Sequence, residues 1–169
     1  MQDLSRLKLS KPVEDVKTLV GTVTVIGAGV IGGAIVKCLI KSKKAESVIA
    51  TRRNLETLIP LADLGANISD NNPVAAKEAE IVFICVKPND IEQVLTEIKD
   101  EIEGKLVIST AAVIPIASLE AIMPNARYVR TMPNIAAMVG ESFTAYTMGS
   151  TTLLEDKTTV ETLLKIGRA

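Results

Sequence analysis

The chain has 169 residues, 47% of them hydrophobic, which is enough for one domain with a substantial buried core. Nineteen basic residues against 20 acidic ones leave almost no net charge, and no basic block occurs, so neither nucleic acid nor an anionic membrane is a predicted partner. The chain has no histidine and therefore lacks the commonest general acid/base and the commonest zinc ligand.

Residues 1–20 are predicted to be an extension in front of the domain, which would cover residues 21–169. The extension carries charges of both signs and lacks the apolar stretch of a secretory signal. One short helix is predicted within it, over residues 13–19.

From residue 21 onward, short β-rich runs alternate with helical patterns, as they do in a sheet of parallel strands connected by helices. Two of these runs, 81–86 and 105–109, are apolar almost throughout, which is typical of parallel strands covered on both faces. The predicted strands are 22–26, 47–51, 66–69, 81–86, 105–109, 126–130 and 143–147.

Two helix patterns carry signals for an N-terminal cap. The first covers residues 89–102, where Asn89 and Glu92 are the predicted capping pair. Its apolar residues fall on one face, and they are Ile91, Val94, Leu95, Ile98 and Ile102. In the second, Thr152 and Glu155 form a Thr-x-x-Glu pattern that predicts a capping box.

The first predicted strand leads into VIGAGVIGGAI, in which the glycines are spaced as Gly27-x-Gly29-x-x-Gly32. A glycine motif between a strand and a helix of the first βαβ unit is typical of dinucleotide binding. Gly27 would make the tight turn, Gly29 would let a pyrophosphate approach the backbone, and Gly32 would let the helix pack closely on the strand. The sequence therefore predicts an α/β fold, a Rossmann-type doubly wound and mostly parallel sheet with helices on both faces.

Two other interpretations of this stretch stay open. It could be a glycine-rich turn that binds no ligand. It could also be a membrane helix, because residues 18–36 carry no charge and nearly reach the length of a bilayer span. Five glycines and a β-branched first part argue against the membrane helix.

The second predicted strand ends in VIATRRN, with Arg52 and Arg53 where enzymes that use NAD usually carry an acidic residue. Guanidinium groups match the geometry of a phosphate. The pair therefore favours NADP over NAD as the cofactor, with NAD still possible. The alternative is a solvated loop.

Other residues are predicted to line the crevice because they follow strands at the carboxyl edge of the sheet. They are Cys85, Lys87 and Pro88, then Ala111 and Ala112, then Met132, Pro133 and Asn134. Lys87 could instead be an ordinary surface charge, and Pro88 could only end the strand. Cys38 and Cys85 lie in apolar runs and are predicted to be small core residues of a protein in a reducing compartment, the cytoplasm.

The segments VIGAGVIGGAI, FICVKP, STAAVIP and YVRTMPNIAAMVGESFTAY stand in an order that resembles the amino-terminal half of pyrroline-5-carboxylate reductases. The resemblance covers nearly everything from Thr22 to the end. It implies NAD(P)H-dependent reduction of 1-pyrroline-5-carboxylate to proline, with an imino acid as the small-molecule substrate. It implies no catalytic nucleophile and no metal.

The resemblance also implies roles for particular residues. Gly27, Ala28, Gly29, Val30, Ile31 and Gly32 would hold the pyrophosphate, Arg52, Arg53 and Asn54 the 2′-phosphate, and Asn72 the adenosine side. Cys85, Lys87 and Pro88 would border the cofactor ribose, Ala111 and Ala112 the nicotinamide, and Met132, Pro133 and Asn134 the substrate ring.

The chain departs from the family pattern at several positions. The family usually has Met in place of Ile31, Gly in place of Val113, Thr-Pro in place of Ile135 and Ala136, and Gly in place of Ser142. Val113 and Ile135 bear most directly on the substrate. In the family a helical carboxyl-terminal domain also follows, which binds the substrate carboxylate and forms a homo-oligomer.

Because that domain does not follow Ala169, this chain is expected to bind the cofactor with little or no turnover. Two alternatives stay open. One is a related NADP-dependent oxidoreductase, such as the deazaflavin-dependent type, and the other is a non-catalytic NADP-binding module.

Overall fold

A computed structural model describes residues 19–133 and 144–164, and in these ranges seven strands form a single sheet. The strands are β1 (Val20–Ile26), β2 (Ala45–Thr51), β3 (Asn67–Ser69), β4 (Ile81–Ile84), β5 (Leu106–Ser109), β6 (Arg127–Pro133) and β7 (Thr144–Met148). Their order is β3-β2-β1-β4-β5-β6-β7, and all neighbours are parallel except β6 and β7. This is the predicted Rossmann-type sheet, and its order reverses between β1 and β4.

Each predicted strand has its counterpart in this sheet, and the differences lie at the ends. β1 and β2 both begin two residues earlier than predicted, because Val20 pairs with Ala45 in their parallel register. β1 therefore starts at the last residue of the predicted extension. β4 ends at Ile84 instead of 86, since a 3₁₀ turn over Pro88–Asp90 follows closely. Residues 1–18, which include most of the predicted helix 13–19, lie outside the described residues.

Six α-helices are described: α1 (Val30–Ser42), α2 (Ile59–Ala62), α3 (Asn72–Glu78), α4 (Ile91–Ile98), α5 (Ile116–Ile122) and α6 (Leu154–Leu164). Three 3₁₀ turns accompany them, at Leu55–Leu58, Pro88–Asp90 and Lys99–Glu101. The stretch 18–36 is thus a strand, a turn and part of a helix from Val20 onward. Across the described ranges, no helix combines the length and the apolar composition needed to cross a membrane.

The capping predicted for residues 89–102 is wrong. Asn89 lies inside the 3₁₀ turn that Pro88 begins, and no side chain caps either that turn or α4. The fixed backbone angle of proline starts the turn without a side-chain cap. The predicted helix is therefore α4 between two 3₁₀ turns, although its apolar face packs as expected and Ile102 is fully buried.

The capping box predicted for Thr152 and Glu155 is also wrong, because the helix starts one residue later. The hydroxyl of Thr152 donates instead to the carbonyl of Gly149 in the preceding turn. The carboxylate of Asp156 accepts from the backbone N–H of Leu153 at 2.8 Å, which is the reciprocal half of a capping box. The same oxygen forms an ion pair with Arg127 Nε at 2.8 Å, so Asp156 also ties α6 to β6.

The core consists of two apolar clusters, one on each face of the sheet. The residues of β4 contribute to both clusters. Ile81 and Phe83 belong to the cluster under α1, α2 and α6. Val82 and Ile84 belong to the cluster under α3, α4 and α5. Successive side chains of a strand point to opposite faces. A continuous apolar run therefore buries both sides, as its composition predicted.

Two buried hydroxyl groups in this core differ in their hydrogen bonding. Thr24 donates to the carbonyl of Ala75 on α3 at 2.7 Å. The Tyr128 hydroxyl is the one buried side-chain polar atom of the described residues that has no partner, and burial raises its pKa.

We predict that Tyr128→Phe leaves the free energy of unfolding unchanged or raises it by up to about 1 kcal/mol, because no bonded partner is lost. Thr24→Val is the matched control and should lower it by about 1–2 kcal/mol, since a carbonyl then loses its donor. Urea denaturation of the three proteins measures both changes. Equal destabilisation by the two substitutions would contradict the prediction.

Val113, in the turn after β5, has a left-handed backbone with φ of +60° and is 80% exposed. This conformation crowds a Cβ atom and is most unfavourable for a β-branched residue. Glycine adopts it without strain but loses more backbone entropy on folding.

We therefore predict that Val113→Gly raises the free energy of unfolding by about 0.5–1 kcal/mol, the strain relieved minus the entropy lost. Val113→Ala removes the branch, keeps the Cβ, and should gain less. Thermal unfolding of both variants tests the order. A Val113→Gly variant less stable than Val113→Ala would show that the backbone is not strained.

Candidate functional site

A cleft of about 540 Å³ opens at the carboxyl ends of β1 and β4, where the strand order reverses. Crevices at this point are where open α/β sheets bind ligands. Eight of the residues predicted to bind a cofactor line it: Gly27, Gly29, Arg52, Arg53, Asn54, Asn72, Cys85 and Lys87. The sequence thus identified half of the lining from local motifs.

A second groove of about 340 Å³ lies on the other side of the glycine turn. Ala28 and Val30 line it together with Lys37 of α1, and Gly29 and Arg52 border both cavities. Arg52 therefore stands between the two spaces.

Each of the three positions in the motif favours glycine for a different structural reason. Gly27 has φ of +84°, and a Cβ there would lie 2.7 Å from Cγ1 of Val86. A Cβ on Gly32 would lie 2.5 Å from the carbonyl oxygen of Gly27, so the strand and the helix could not pack as closely. A Cβ on Gly29 would meet no protein atom within 4 Å. Gly27 and Gly32 are thus required by the fold, whereas Gly29 faces open space in the cleft.

Hydrogen bonds of the turn leave one group of N–H donors unused. The N–H groups of Gly27 and Ala28 both donate to the carbonyl of Thr51, at 3.1 and 3.0 Å. In the described part of the chain, no carbonyl accepts from the first three N–H groups of α1, those of Val30, Ile31 and Gly32. Such groups, at the positive end of a helix dipole, form a binding site for an anion.

The loop after β2 adds positive charge beside this turn. Arg52 and Arg53 are exposed, and the backbone N–H of Arg52 donates to Ser69 at the end of β3. Asn54 accepts from the N–H of Glu56 and caps the 3₁₀ turn that follows. The loop is therefore fixed through its backbone and cap, and both arginines line the cleft.

Asn72, the first residue of α3, is held between two neighbours. Its Oδ1 accepts from the hydroxyl of Thr51 at 2.6 Å, and its Nδ2 donates to Oε2 of Glu97 at 3.1 Å. All three residues line the cleft.

Sequence reasoning missed several lining residues. Apart from Ile26, Val86 and Thr51, these are the acidic Asp70 after β3 and one face of α4 with its preceding turn, namely Asp90, Gln93, Val94 and Glu97. Asp90, Gln93, Val94 and Glu97 are spaced by three or four residues, which places them on one face of a helix. Their spacing could therefore have grouped these four residues. The sequence alone did not indicate that this face meets the glycine turn.

Cys85 borders the cleft with a thiol whose pKa is raised by burial to about 12, although the Thr110 hydroxyl beside it opposes the rise. A thiol with this pKa is protonated at neutral pH. Cys85 is therefore a neutral wall of the cleft.

The remaining predicted residues do not line either cavity. Ile31 and Gly32 lie in the first turn of α1, and Pro88 begins the 3₁₀ turn before α4. Ala111 and Ala112 follow β5. Met132 and Pro133 end β6, where Met132 is 52% exposed, and Asn134 lies outside the described residues. Of the residues predicted at the nicotinamide and substrate end, Ala111 is buried, whereas Ala112 and Met132 are exposed.

Comparison with known proteins gives consistent matches. Residues 22–113 match the family described as NADP oxidoreductase coenzyme F420-dependent. The pyrroline-5-carboxylate reductase of Methanosarcina acetivorans is 37% identical over 150 residues, which cover 85% of this chain and 56% of that protein. This chain thus spans about half the length of the curated relatives it matches.

Solved structures extend these matches. A pyrroline-5-carboxylate reductase from Coxiella burnetii superposes with a TM-score of 0.80 at 28% identity, over 86% of this chain and 56% of that one. An imine reductase from Myxococcus stipitatus in complex with NADP⁺ gives a TM-score of 0.72 at 26% identity, over 85% and 52%. The chain therefore belongs to the NADP oxidoreductase coenzyme F420-dependent family, and its resemblance to the amino-terminal half of pyrroline-5-carboxylate reductases is confirmed.

Proposed function

We propose that this chain is the NADP(H)-binding part of an enzyme that reduces 1-pyrroline-5-carboxylate to proline. The observation that carries the proposal is the open space in front of Gly29, next to three N–H groups that have no acceptor among the described residues. A bound pyrophosphate would fill that space and satisfy those donors. The 37% identity to a pyrroline-5-carboxylate reductase supports the choice of substrate.

In this proposal the cofactor lies across the carboxyl edge of the sheet. The glycine turn from Gly27 to Gly32 holds the pyrophosphate, and the loop of Arg52, Arg53 and Asn54 holds the 2′-phosphate. Asn72 contacts the adenosine side. Further along, Cys85, Lys87 and Pro88 border the ribose on the nicotinamide side, Ala111 and Ala112 the nicotinamide, and Met132, Pro133 and Asn134 the substrate ring.

In this reaction the main task of the protein is to align the cofactor with the substrate. The reduced cofactor supplies the hydride, and a cyclic imine can reach the site already protonated by water. The protein's part is to hold the two rings together and to exclude solvent. A chain without histidine, with a protonated thiol at Cys85, is suited to this reaction.

Met132 and Ala112, which the proposal places at the substrate ring and the nicotinamide, are exposed, and the chain spans about half the length of its curated relatives. We propose that this chain by itself binds NADPH with little turnover, and that the full-length protein is a homo-oligomer with a complete substrate site. Both cysteines keep their thiols, in accordance with a reducing compartment such as the cytoplasm.

A second candidate is a related NADP-dependent reductase that uses a deazaflavin, because the matching family is named for coenzyme F420. A third is a non-catalytic NADP-binding module. Steady-state kinetics of the full-length protein with pyrroline-5-carboxylate, and separately with reduced F420 and NADP⁺, separates the three.

We predict that Arg52→Ala, Arg53→Ala weakens NADPH binding by about 10- to 100-fold and leaves NADH binding nearly unchanged. A charge-assisted hydrogen bond to a phosphate contributes about 1.5–3 kcal/mol. The expected range corresponds to about one such bond in total, since both arginines are exposed to solvent, and only NADPH carries the 2′-phosphate. Calorimetric titration gives both affinities. A control that removes two positive charges outside the cleft, Lys41→Ala, Lys99→Ala, should keep the preference for NADPH. Equal loss in the two double variants would mean that only net charge matters.

We further predict that Gly29→Ala folds normally and binds NADPH at least about 10-fold more weakly. The added methyl group meets no protein atom but occupies the space proposed for the pyrophosphate. Gly33→Ala is the matched control: its nearest protein neighbour would be 3.8 Å away, and alanine favours the helix by up to about 1 kcal/mol. It should be slightly more stable and bind NADPH as the unaltered chain does. If Gly29→Ala binds NADPH as tightly as the unaltered chain, the pyrophosphate does not bind at this turn.

A further inference from the structure

One side-chain network of the cleft joins three different elements. Thr51 ends β2, Asn72 begins α3 and Glu97 lies on α4, and hydrogen bonds of 2.6 and 3.1 Å connect them through the Asn72 carboxamide. On the basis of the proposed function, we propose that Thr51 and Glu97 are positioning residues, which fix the orientation of the Asn72 carboxamide for the adenosine half of the cofactor.

The chemistry of the two neighbours allows only one orientation of the amide. A carboxylate has no proton to donate, so Glu97 must face the Nδ2 side of Asn72. The hydroxyl of Thr51 then donates to Oδ1. A flipped amide would place Oδ1 against the carboxylate of Glu97 at about the present 3.1 Å, which is repulsive. One Nδ2 hydrogen is left over, so Asn72 offers the ligand a donor.

Thr51 links this amide to the phosphate turn. The residue is fully buried, and its backbone carbonyl accepts from both Gly27 and Ala28. One residue therefore holds the glycine turn through its backbone and Asn72 through its side chain. A rigid connection of this kind sets the distance between the two points at which the ligand is held.

Glu97 also provides a test that separates positioning from simple electrostatics. The ligand is a polyanion, so the removal of any carboxylate from the cleft should strengthen binding if charge alone mattered. Asp70 and Asp90 line the same cleft, and neither hydrogen-bonds to Asn72. If Glu97 positions Asn72, the removal of its carboxylate should weaken binding, whereas the removal of the other carboxylates should not.

The experiment measures the affinities of NADPH and of 2′,5′-ADP, the isolated adenosine half, by calorimetry. Thr51→Val keeps the shape and removes the donor, and it should weaken both ligands by the same factor, about 10-fold. Thr51→Ser keeps the hydroxyl and should restore binding to within about 2-fold. Glu97→Ala should weaken both ligands about 3- to 10-fold, and Glu97→Gln, which keeps an acceptor, should lose less.

Asp70→Asn is the charge control and should bind both ligands as well as the unaltered chain or better. The inference is overturned if Glu97→Ala tightens binding as Asp70→Asn does, or if Thr51→Val weakens NADPH but not 2′,5′-ADP. Because Glu97 is exposed, its variants keep the test decisive if Thr51→Val does not fold. Failure of the unaltered chain to bind NADPH would overturn the proposed function itself, whereas normal binding with unaffected variants would overturn this inference alone.

Discussion

The cleft depends on one backbone constraint, the passage from β1 into α1 within three residues. Gly27 makes that turn with a positive φ, and the carbonyl of Thr51 on the neighbouring strand accepts from Gly27 and Ala28. Because these N–H groups are bonded within the protein, the donors of this turn without an acceptor in the described ranges are those of Val30 and the two residues after it. The turn is thus held by protein contacts on one side and leaves its donors to a ligand on the other.

The sheet supports this turn because it is buried on both faces. β1 and β4 lie side by side at the centre of the strand order, with apolar clusters above and below them. The crossover helices diverge at this point, since α1 packs on one face and α3 and α4 on the other. The divergence opens the cleft and brings the polar face of α4 to its wall, where Glu97 meets Asn72.

The strands, their order along the chain and the mostly parallel sheet could be predicted from the sequence because apolar periodicity is local. The motif residues of the turn and the Arg52 loop were predictable for the same reason: each lies at a recognisable strand end. The capping pairs could not be predicted, since Thr152 has a competing acceptor in Gly149 and Pro88 starts its turn without a cap. The role of Glu97 depends on how α4 packs beside α3, which no local pattern specifies.

The roles of the substrate residues were predicted from their likeness to a family, and they remain predictions. The central claim is that the N–H groups at the start of α1 hold the cofactor pyrophosphate. Its most direct measurement is a titration of the ¹⁵N-labelled chain with NADPH, followed through the backbone amide signals. The largest shifts should fall on Val30, Ile31 and Gly32, with smaller ones on Gly27 and Ala28, whose N–H groups stay bonded to Thr51. Saturable binding that leaves the signals of Val30, Ile31 and Gly32 in place would contradict it.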